Sequence, residues 1–157
     1  MKRLTVLFIF ISLCYNAVAQ NEKSPLLPTD SCFLAKVLTG NIYFLDKQVT
    51  IKDLPWNPHS KFEGVYLKNL ILAEDTNNQL NCHIVKVEPG CMLDTHLHEG
   101  QIEIHEVIAG EGICYLEGKE INYFTGKISV IPANTIHKVV AGKDGLYLFA
   151  KFTPASK

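Results

Sequence analysis

The sequence predicts an all-β domain of the sandwich or barrel type, and three observations support this. From residue 33 onward, short apolar runs alternate with turn residues. Glycine lies at short connections, Glu117–Gly118–Lys119–Glu120 and Lys143–Asp144–Gly145, where a positive φ suits glycine best. No segment between residues 60 and 152 has the periodicity of an amphipathic helix. The predicted strands are 42–45, 62–72, 82–87, 102–108, 113–116, 121–124, 128–131, 138–140 and 146–152.

Length and composition fit one compact domain. The chain has 157 residues, of which 47% are hydrophobic and 20% charged, enough apolar surface for one core. Its formal net charge of −1 leaves no cationic excess to neutralise phosphates. We therefore expect no nucleic-acid partner.

The N-terminus has the features of a secretory signal peptide. Lys2 and Arg3 precede an apolar run at 4–13, and residues 17–19 supply a small-x-small cleavage pattern. The run is about half of the roughly 20 apolar residues that span a bilayer, so a retained anchor is the weaker alternative. We assign residues 1–19 as a signal peptide and expect a periplasmic or secreted protein that does not contact the membrane after cleavage.

The remaining chain divides into an arm and a barrel. Residues 20–60 begin with a proline-containing polar stretch and form an N-terminal linker and arm. The best helical candidate is 32–38, with Thr29, Asp30 or Ser31 as N-cap and Gly40 just past its end. We assign residues 61–154 to the barrel domain.

Four cysteines lie outside the signal peptide. An oxidising compartment would allow this even number to pair, whereas free cysteines commonly serve as small buried hydrophobic residues. Both alternatives remain open, and no CxxC spacing indicates a redox or zinc motif. The four are Cys32, Cys82, Cys91 and Cys114.

The most informative stretch contains a pair of histidines two residues apart, His96 and His98. Side chains at i and i+2 of a strand project to the same face, which places two imidazoles at neighbouring positions of one metal ion. Glu103 follows a tight Glu-Gly connection and can return on the neighbouring strand to add a carboxylate oxygen. These residues predict a metal site of the catalytic type, with positions left for solvent or substrate.

A second stretch supplies the fourth ligand. Pro132 and Asn134 form a turn that ends one strand, and His137 opens the next. The predicted site therefore contains three histidines and one glutamate.

These two stretches resemble the sequence motifs of the cupins. The first motif, G(x)5HxH(x)3-4E(x)6G, is matched in full, and the second, G(x)5PxG(x)2H(x)3N, is matched in part. Asn134 replaces a glycine of the family and Ala141 replaces an asparagine; asparagine tolerates a left-handed turn better than other non-glycine residues. The matching residues are Gly90, His96, His98, Glu103 and Gly110, followed by Gly126, Pro132 and His137.

The resemblance implies a double-stranded β-helix, a jelly-roll barrel whose mouth holds a divalent transition metal. The implied metal ligands are His96, His98, Glu103 and His137. Manganese or iron is favoured for its octahedral preference and open positions, while nickel, copper and zinc also suit these donors. A metal-free barrel with the same histidines lining a polar interior is the alternative.

Two residues are candidates for a catalytic role, and His105 is the candidate for proton transfer. His105 lies two positions past Glu103 and should share its face, so we take His105 and Glu103 as the catalytic candidates. A hydrogen-bonded core histidine is the alternative role for His105. His59 and His83 look ordinary. The facing of Gln101, Tyr115, Tyr123 and Lys68 is open, because one bulge would reverse it.

The predicted function is that of an exported metalloenzyme acting on a small oxygen-bearing molecule. Cupins of this size include dioxygenases, isomerases, lyases and decarboxylases, and oxygenase or isomerase chemistry is favoured here, with the ion as Lewis acid or activator of dioxygen. The alternative is a non-catalytic binding or sensing module for a sugar or organic acid. We also expect a homodimer, for which residues 32–60 could be an exchanged arm.

Overall fold

The fold is described from a computed structural model for residues 30–155. One α-helix, α1, spans Asp30–Leu38, and two short 3₁₀ helices span Ile51–Asp53 and Ala73–Thr76. The signal peptide predicted for residues 1–19 lies outside the described residues and stays a prediction, as does the boundary between the arm and the barrel. The ten strands are β1 (Asn41–Tyr43), β2 (Gln48–Thr50), β3 (Asn57–Pro58), β4 (Val65–Ile71), β5 (Asn81–Val87), β6 (Met92–His96), β7 (Ile102–Leu116), β8 (Lys119–Phe124), β9 (Ile128–Ile131) and β10 (His137–Thr153).

Two long antiparallel strands, β7 and β10, organise the domain because each contributes to two sheets. Residues 102–110 of β7 and 146–153 of β10 pair with each other, flanked by β9 and by β5 and β4. Residues 111–116 of β7 and 137–141 of β10 pair in the same way, flanked by β8 and β6. This is the predicted double-stranded β-helix, and the fold prediction is confirmed.

Where β7 and β10 pass from one sheet to the other, their pairing is irregular, but neither strand is interrupted by a turn. The register of β10 against β7 shifts between Ala141 and Leu146, opposite Gly110 and Gly112. The prediction that Lys143–Asp144–Gly145 connects two strands was therefore wrong, because these residues form a bulge within β10. A bulge bends a strand locally without ending its pairing.

The other predicted hairpin is confirmed, but its turn is shorter than predicted because Lys119 and Glu120 belong to β8. Glu117 and Gly118 connect β7 to β8 with φ values of 46° and 79°. Two consecutive positive φ values are the signature of the tight turn whose twist matches that of the flanking strands.

The arm packs on the outer face of the barrel. Helix α1, predicted at 32–38, is confirmed at Asp30–Leu38 and ends just before Gly40. Because Asp30 and Ser31 are helical, only Thr29 of the proposed caps remains, and it lies outside the described residues. Within residues 30–155 no helix has the length and apolarity needed to cross a membrane. The contact is a cluster of apolar side chains that is separate from the core inside the barrel. It joins Leu34, Val37, Leu38, Ile42, Ile51 and Trp56 of the arm to Leu70, Ile84, Ile108, Tyr147 and Phe149 of the barrel.

A buried lysine fastens the arm to the sheet. Lys68 of β4 is 3% exposed, and its Nζ donates hydrogen bonds to the carbonyl oxygens of Ile51, at 3.2 Å, and of Leu54. The ammonium also lies 5.1 Å from the centre of the Trp56 ring. Burial lowers the pKa of Lys68, although the charge of Asp53 acts in the opposite direction. The side chain thus serves as a structural donor, and it does not line the cavity described below.

Replacing Lys68 with methionine should lower the free energy of unfolding by about 1–3 kcal/mol, because two partly or fully buried carbonyls lose their donor. The matched control is Lys143→Met, whose side chain is 82% exposed and whose effect should stay within about 0.5 kcal/mol. Urea unfolding of both variants measures the difference. Equal stabilities would show that the lysine does not fasten the arm.

All four cysteines of the described chain are unpaired. Cys82 and Cys114 are buried, and burial raises the pKa of the Cys82 thiol to about 11. Of the two alternatives, the structure therefore shows free cysteines, with these two acting as small core residues.

Candidate metal centre

The four predicted ligand residues converge between the two sheets. His96 ends β6, His98 follows it, Glu103 lies near the start of β7 and His137 begins β10. One ligand atom from each lies within 4.8 Å of the others. Such a span is comparable with twice a metal–nitrogen bond of about 2.1 Å. Glu103 is 3% exposed and His137 1% exposed, so half of the set is buried.

Strand pairing explains how the residues meet. His137 pairs directly with His96 across the β10–β6 ladder, and their ring centres are 4.2 Å apart. His98 lies just past the end of β6 rather than on it. The expectation that Glu103 sits on the strand next to His96 was wrong, because β6 pairs with β10, whereas Glu103 pairs with Phe152 and Ile131. Glu103 reaches the site from the other sheet, since β7 crosses both.

Backbone carbonyls hold two of the imidazoles in the tautomer that a metal needs. His96 Nδ1 donates to the Asp94 carbonyl oxygen at 2.6 Å, and His137 Nδ1 donates to that of Thr135 at 3.0 Å. In a neutral ring this leaves the lone pair on Nε2. Burial lowers the pKa of His96 to about 4, so its ring is neutral at pH 7.

Three buried polar atoms at the centre of the cluster have no hydrogen-bond partner among residues 30–155. They are His98 Nε2, Glu103 Oε2 and His137 Nε2. Glu103 Oε2 lies 3.2 Å from His98 Nε2 and 3.0 Å from His137 Nε2, without hydrogen-bond geometry. Buried polar atoms are rarely left unsatisfied. A cation among them would satisfy all three, so the donor set fits a divalent metal.

His105 lies behind the glutamate and is fully buried. Its Nε2 donates to Glu103 Oε1 at 2.8 Å, which leaves Oε2 available to coordinate a metal ion, and its Nδ1 is 3.1 Å from the Tyr123 hydroxyl. Burial would lower the pKa of His105, but the Glu103 charge outweighs it and raises this pKa to about 9. The same pairing holds the pKa of Glu103 well below its usual range in spite of burial. His105 therefore orients the carboxylate, while the catalytic role of the pair stays a prediction.

We expect His105→Leu to lower the affinity for a divalent metal by about 10–100-fold, the usual effect of losing a partner that orients a ligand. Tyr123→Phe removes only the hydrogen bond between the Tyr123 hydroxyl and His105, so it should have a smaller effect. Competition titration with a chromogenic chelator measures both. An unchanged affinity in a folded His105→Leu protein would contradict the orienting role.

A cavity of about 670 Å³ borders the cluster. Three ligand residues, His96, His98 and Glu103, contribute to its wall. Leu67, Val85, Leu93 and Phe152 form an apolar side, and His59, His83 and Gln101 add polar groups. This combination of an apolar wall with a few polar groups is typical of small-molecule sites.

The sequence identified only part of this wall. Of the four residues whose facing was left open, Gln101 lines the cavity, whereas Tyr115, Tyr123 and Lys68 do not. His59 and His83, which look ordinary in sequence, both line it. For His83 a signal existed, because it lies two positions before Val85 on β5 and therefore projects to the same face of the sheet. For His59, in the arm, no local pattern pointed to the cavity.

Asn134, a departure from the cupin pattern, ties the two motifs together. It adopts a left-handed conformation with a φ of 64°, as expected for asparagine in place of glycine. Its Oδ1 accepts a hydrogen bond from the Gly100 amide at 3.1 Å, and its own amide donates to the His98 carbonyl at 2.9 Å. The turn before His137 is thus linked to the loop that follows His98.

A double-stranded β-helix with three histidines and a glutamate converging beside an open cavity defines a small jelly-roll protein with a candidate metal site. Residues 83–148 match the family model of the cupin domain, Cupin_2. This segment, which contains all four candidate ligands, is therefore a cupin domain, as the motifs indicated.

Individual relatives are distant. The chain is 26% identical over 76 residues to the oxalate-binding protein of Thermotoga maritima, a match that covers 48% of this chain and 63% of that protein. Less than two thirds of that relative is thus matched. The structure of KdgF from Halomonas sp. is similar with a TM-score of 0.61 at 24% identity, covering 68% of this chain and 91% of KdgF. The polyketide cyclase RemF from Streptomyces resistomycificus gives a TM-score of 0.61 at 20% identity, covering 69% and 79%. These two similarities show the fold alone.

Proposed function

We propose that this protein is a metal-dependent enzyme of the oxygenase or isomerase type that acts on a small oxygen-bearing organic molecule. The observation that carries the proposal is the set of three unsatisfied buried atoms, on His98, Glu103 and His137, beside the cavity. A bound ion, with manganese or iron favoured, would supply Lewis-acid chemistry or activate dioxygen.

The protein's own residues would hold the ion, orient its ligands and exclude water from the site. His96 and His137 present lone pairs fixed by backbone carbonyls, and His105 keeps the Glu103 carboxylate aligned. Phe152 packs edge-on against His98, with ring centres 4.8 Å apart, and so covers one side of the site. Part of a small ligand would be desolvated against this wall, while its oxygens meet the ion.

Binding without turnover is the second candidate function, and one finding favours it. The T. maritima relative is called an oxalate-binding protein, and oxalate is a small organic acid with oxygens that chelate metals. In that case the same ligands would hold an ion that captures an acid, and no product would form.

A single sequence of measurements separates the candidates. Metal analysis of the purified protein comes first, followed by titration of the manganese-loaded protein with a panel of small organic acids and sugars, with oxygen uptake and product detection. An enzyme should form product and lose turnover in Glu103→Ala and His105→Ala, whereas a binding module should form none and lose only affinity. A protein that binds no divalent metal would contradict both.

Two further parts of the proposal concern location and assembly. Export to the periplasm or outside would remove residues 1–19, so N-terminal sequencing of the exported protein should begin at Gln20. A homodimer is tested by light scattering of the purified protein. The arm packs on its own barrel in the structure, through Ile51 and Trp56 among others.

A further inference from the structure

We propose that His59 is a second recognition point of the cavity, whose Nε2–H donates a hydrogen bond to a hydroxyl or carbonyl oxygen of the ligand. The ligand class that we infer is a small organic acid. Its carboxylate and a neighbouring oxygen would coordinate the ion, and a further oxygen elsewhere in the molecule would accept the hydrogen bond from His59. This inference rests on the proposed function, because it assumes a ligand at the metal.

The backbone fixes which nitrogen of His59 carries the proton. His59 Nδ1 accepts hydrogen bonds from the amides of Lys61, at 3.1 Å, and Phe62, at 3.2 Å. A nitrogen that accepts from two N–H groups must present its lone pair, so the proton of the neutral ring is on Nε2. Burial, assisted by the charge of Lys61, lowers the pKa of His59 and favours this neutral form. The result is a donor whose identity is set before any ligand arrives.

Stacking holds the ring in place beside the metal cluster. The His59 ring lies 4.7 Å from the Phe62 ring at an interplanar angle of 23°, and Phe62 in turn lies 5.4 Å from the His96 ring. His59 lines the same cavity as His96 and His98. In the described part of the chain no group accepts a hydrogen bond from His59 Nε2. A donor held in a fixed direction loses little entropy on binding, which favours its use in recognition.

His83 lines the same cavity but is not equipped for this role. Its Nδ1 is 2.9 Å from Asn69 Oδ1 and its Nε2 is 3.2 Å from Asn81 Nδ2, so both ring nitrogens are already engaged. The contrast between the two histidines lies in hydrogen bonding rather than in position, and it supplies a matched control.

The test uses pairs of 2-hydroxy acids that differ by one hydroxyl group: lactate with glycerate, and 2-hydroxybutanoate with 2,4-dihydroxybutanoate. Affinities are measured by calorimetry on the manganese-loaded protein. One neutral hydrogen bond of about 1 kcal/mol corresponds to roughly fivefold in affinity, so in at least one pair the more hydroxylated acid should bind about five times more tightly. In His59→Asn the ratio should fall to about twofold or less, because the shorter side chain keeps an acceptor for the Lys61 amide but does not carry the donor to the same place. His83→Gln should keep the ratio.

A second measurement does not depend on any variant folding. In the zinc-loaded wild-type protein, the ¹⁵N spectrum of the imidazoles should show His59 protonated at Nε2, and this resonance should move with the hydroxylated acid of the preferred pair but not with its partner. Acids that bind without a hydroxyl preference, or a preference that survives in His59→Asn, would overturn the role of His59 and leave the proposed function standing. If the protein binds no metal, or no acid reaches the ion, the proposed function fails as well.

Discussion

Replacing His137 with alanine is expected to lower the affinity for manganese or zinc by more than about 100-fold, beyond the range typical of losing a partner that only orients a ligand. His137 is 1% exposed, its Nδ1 is tied to the Thr135 carbonyl, and its Nε2 is one of the three unsatisfied atoms. The buried His137 Nε2 has no hydrogen-bond partner among the described residues, so metal coordination is the interaction that would satisfy it. Competition titration with a fluorescent chelator measures the change.

Thermal melting provides an independent measurement of the same loss. A ligand that binds only the folded state stabilises it by about 2.7 kcal/mol at 100 times its dissociation constant. Metal should therefore raise the melting temperature of the wild-type protein, and a chelator should reverse the effect, whereas His137→Ala should not respond at that concentration. His83→Ala, a cavity histidine outside the cluster, should respond like the wild type. A His137→Ala protein that keeps the metal-dependent shift would place the ion elsewhere.

The ligand set could be predicted from sequence because it depends on spacing that two local rules govern. The close spacing of His96 and His98 and the turn before His137 indicated these three ligands without knowledge of the whole sheet, although His98 lies just past the end of β6, where strand alternation does not apply. The orientation of Glu103 was harder, since β7 carries it from the opposite sheet. What the sequence could not show was that β7 and β10 continue through their glycine-containing segments. Whether such a segment turns or bulges is decided by pairing with distant strands.

The cavity wall was less predictable than the ligands for the same reason. Lys68 reads as a polar position of an alternating strand, yet it is buried because the arm covers that face and offers two carbonyls. His59 joins the wall only because β3 pairs with β4 and brings the arm to the mouth of the barrel. Such facts depend on contacts between segments far apart in the chain, which period and turn chemistry do not encode.

Gly110→Ala is expected to lower the free energy of unfolding by about 3 kcal/mol or more, through two effects that act together. Gly110 has a φ of 79°, and a Cβ built there would lie 2.1 Å from the carbonyl oxygen of Gly145 on β10. Gly118 also has a φ of 79°, but nothing lies within 4 Å of its Cβ position. Gly118→Ala should therefore show only the backbone strain of about 1–2 kcal/mol, so the difference between the two variants measures the contact at the bend.

We expect the same close approach to affect the metal ligands, although Gly110 is not one of them. The bulge of β10 crosses β7 at Gly110, and the approach of the two backbones there lets both strands pass from one sheet to the other. Glu103 and His137 lie on opposite sides of that bend, Glu103 opposite Phe152 and His137 opposite Leu116. The bend is therefore needed to bring the two side chains together. In urea unfolding, equal losses of stability in the two alanine variants would show that positive φ alone selects glycine at this position. A larger loss in Gly110→Ala, accompanied by weaker metal binding in the folded fraction, would show that the close approach of β7 and β10 holds the ligand set together.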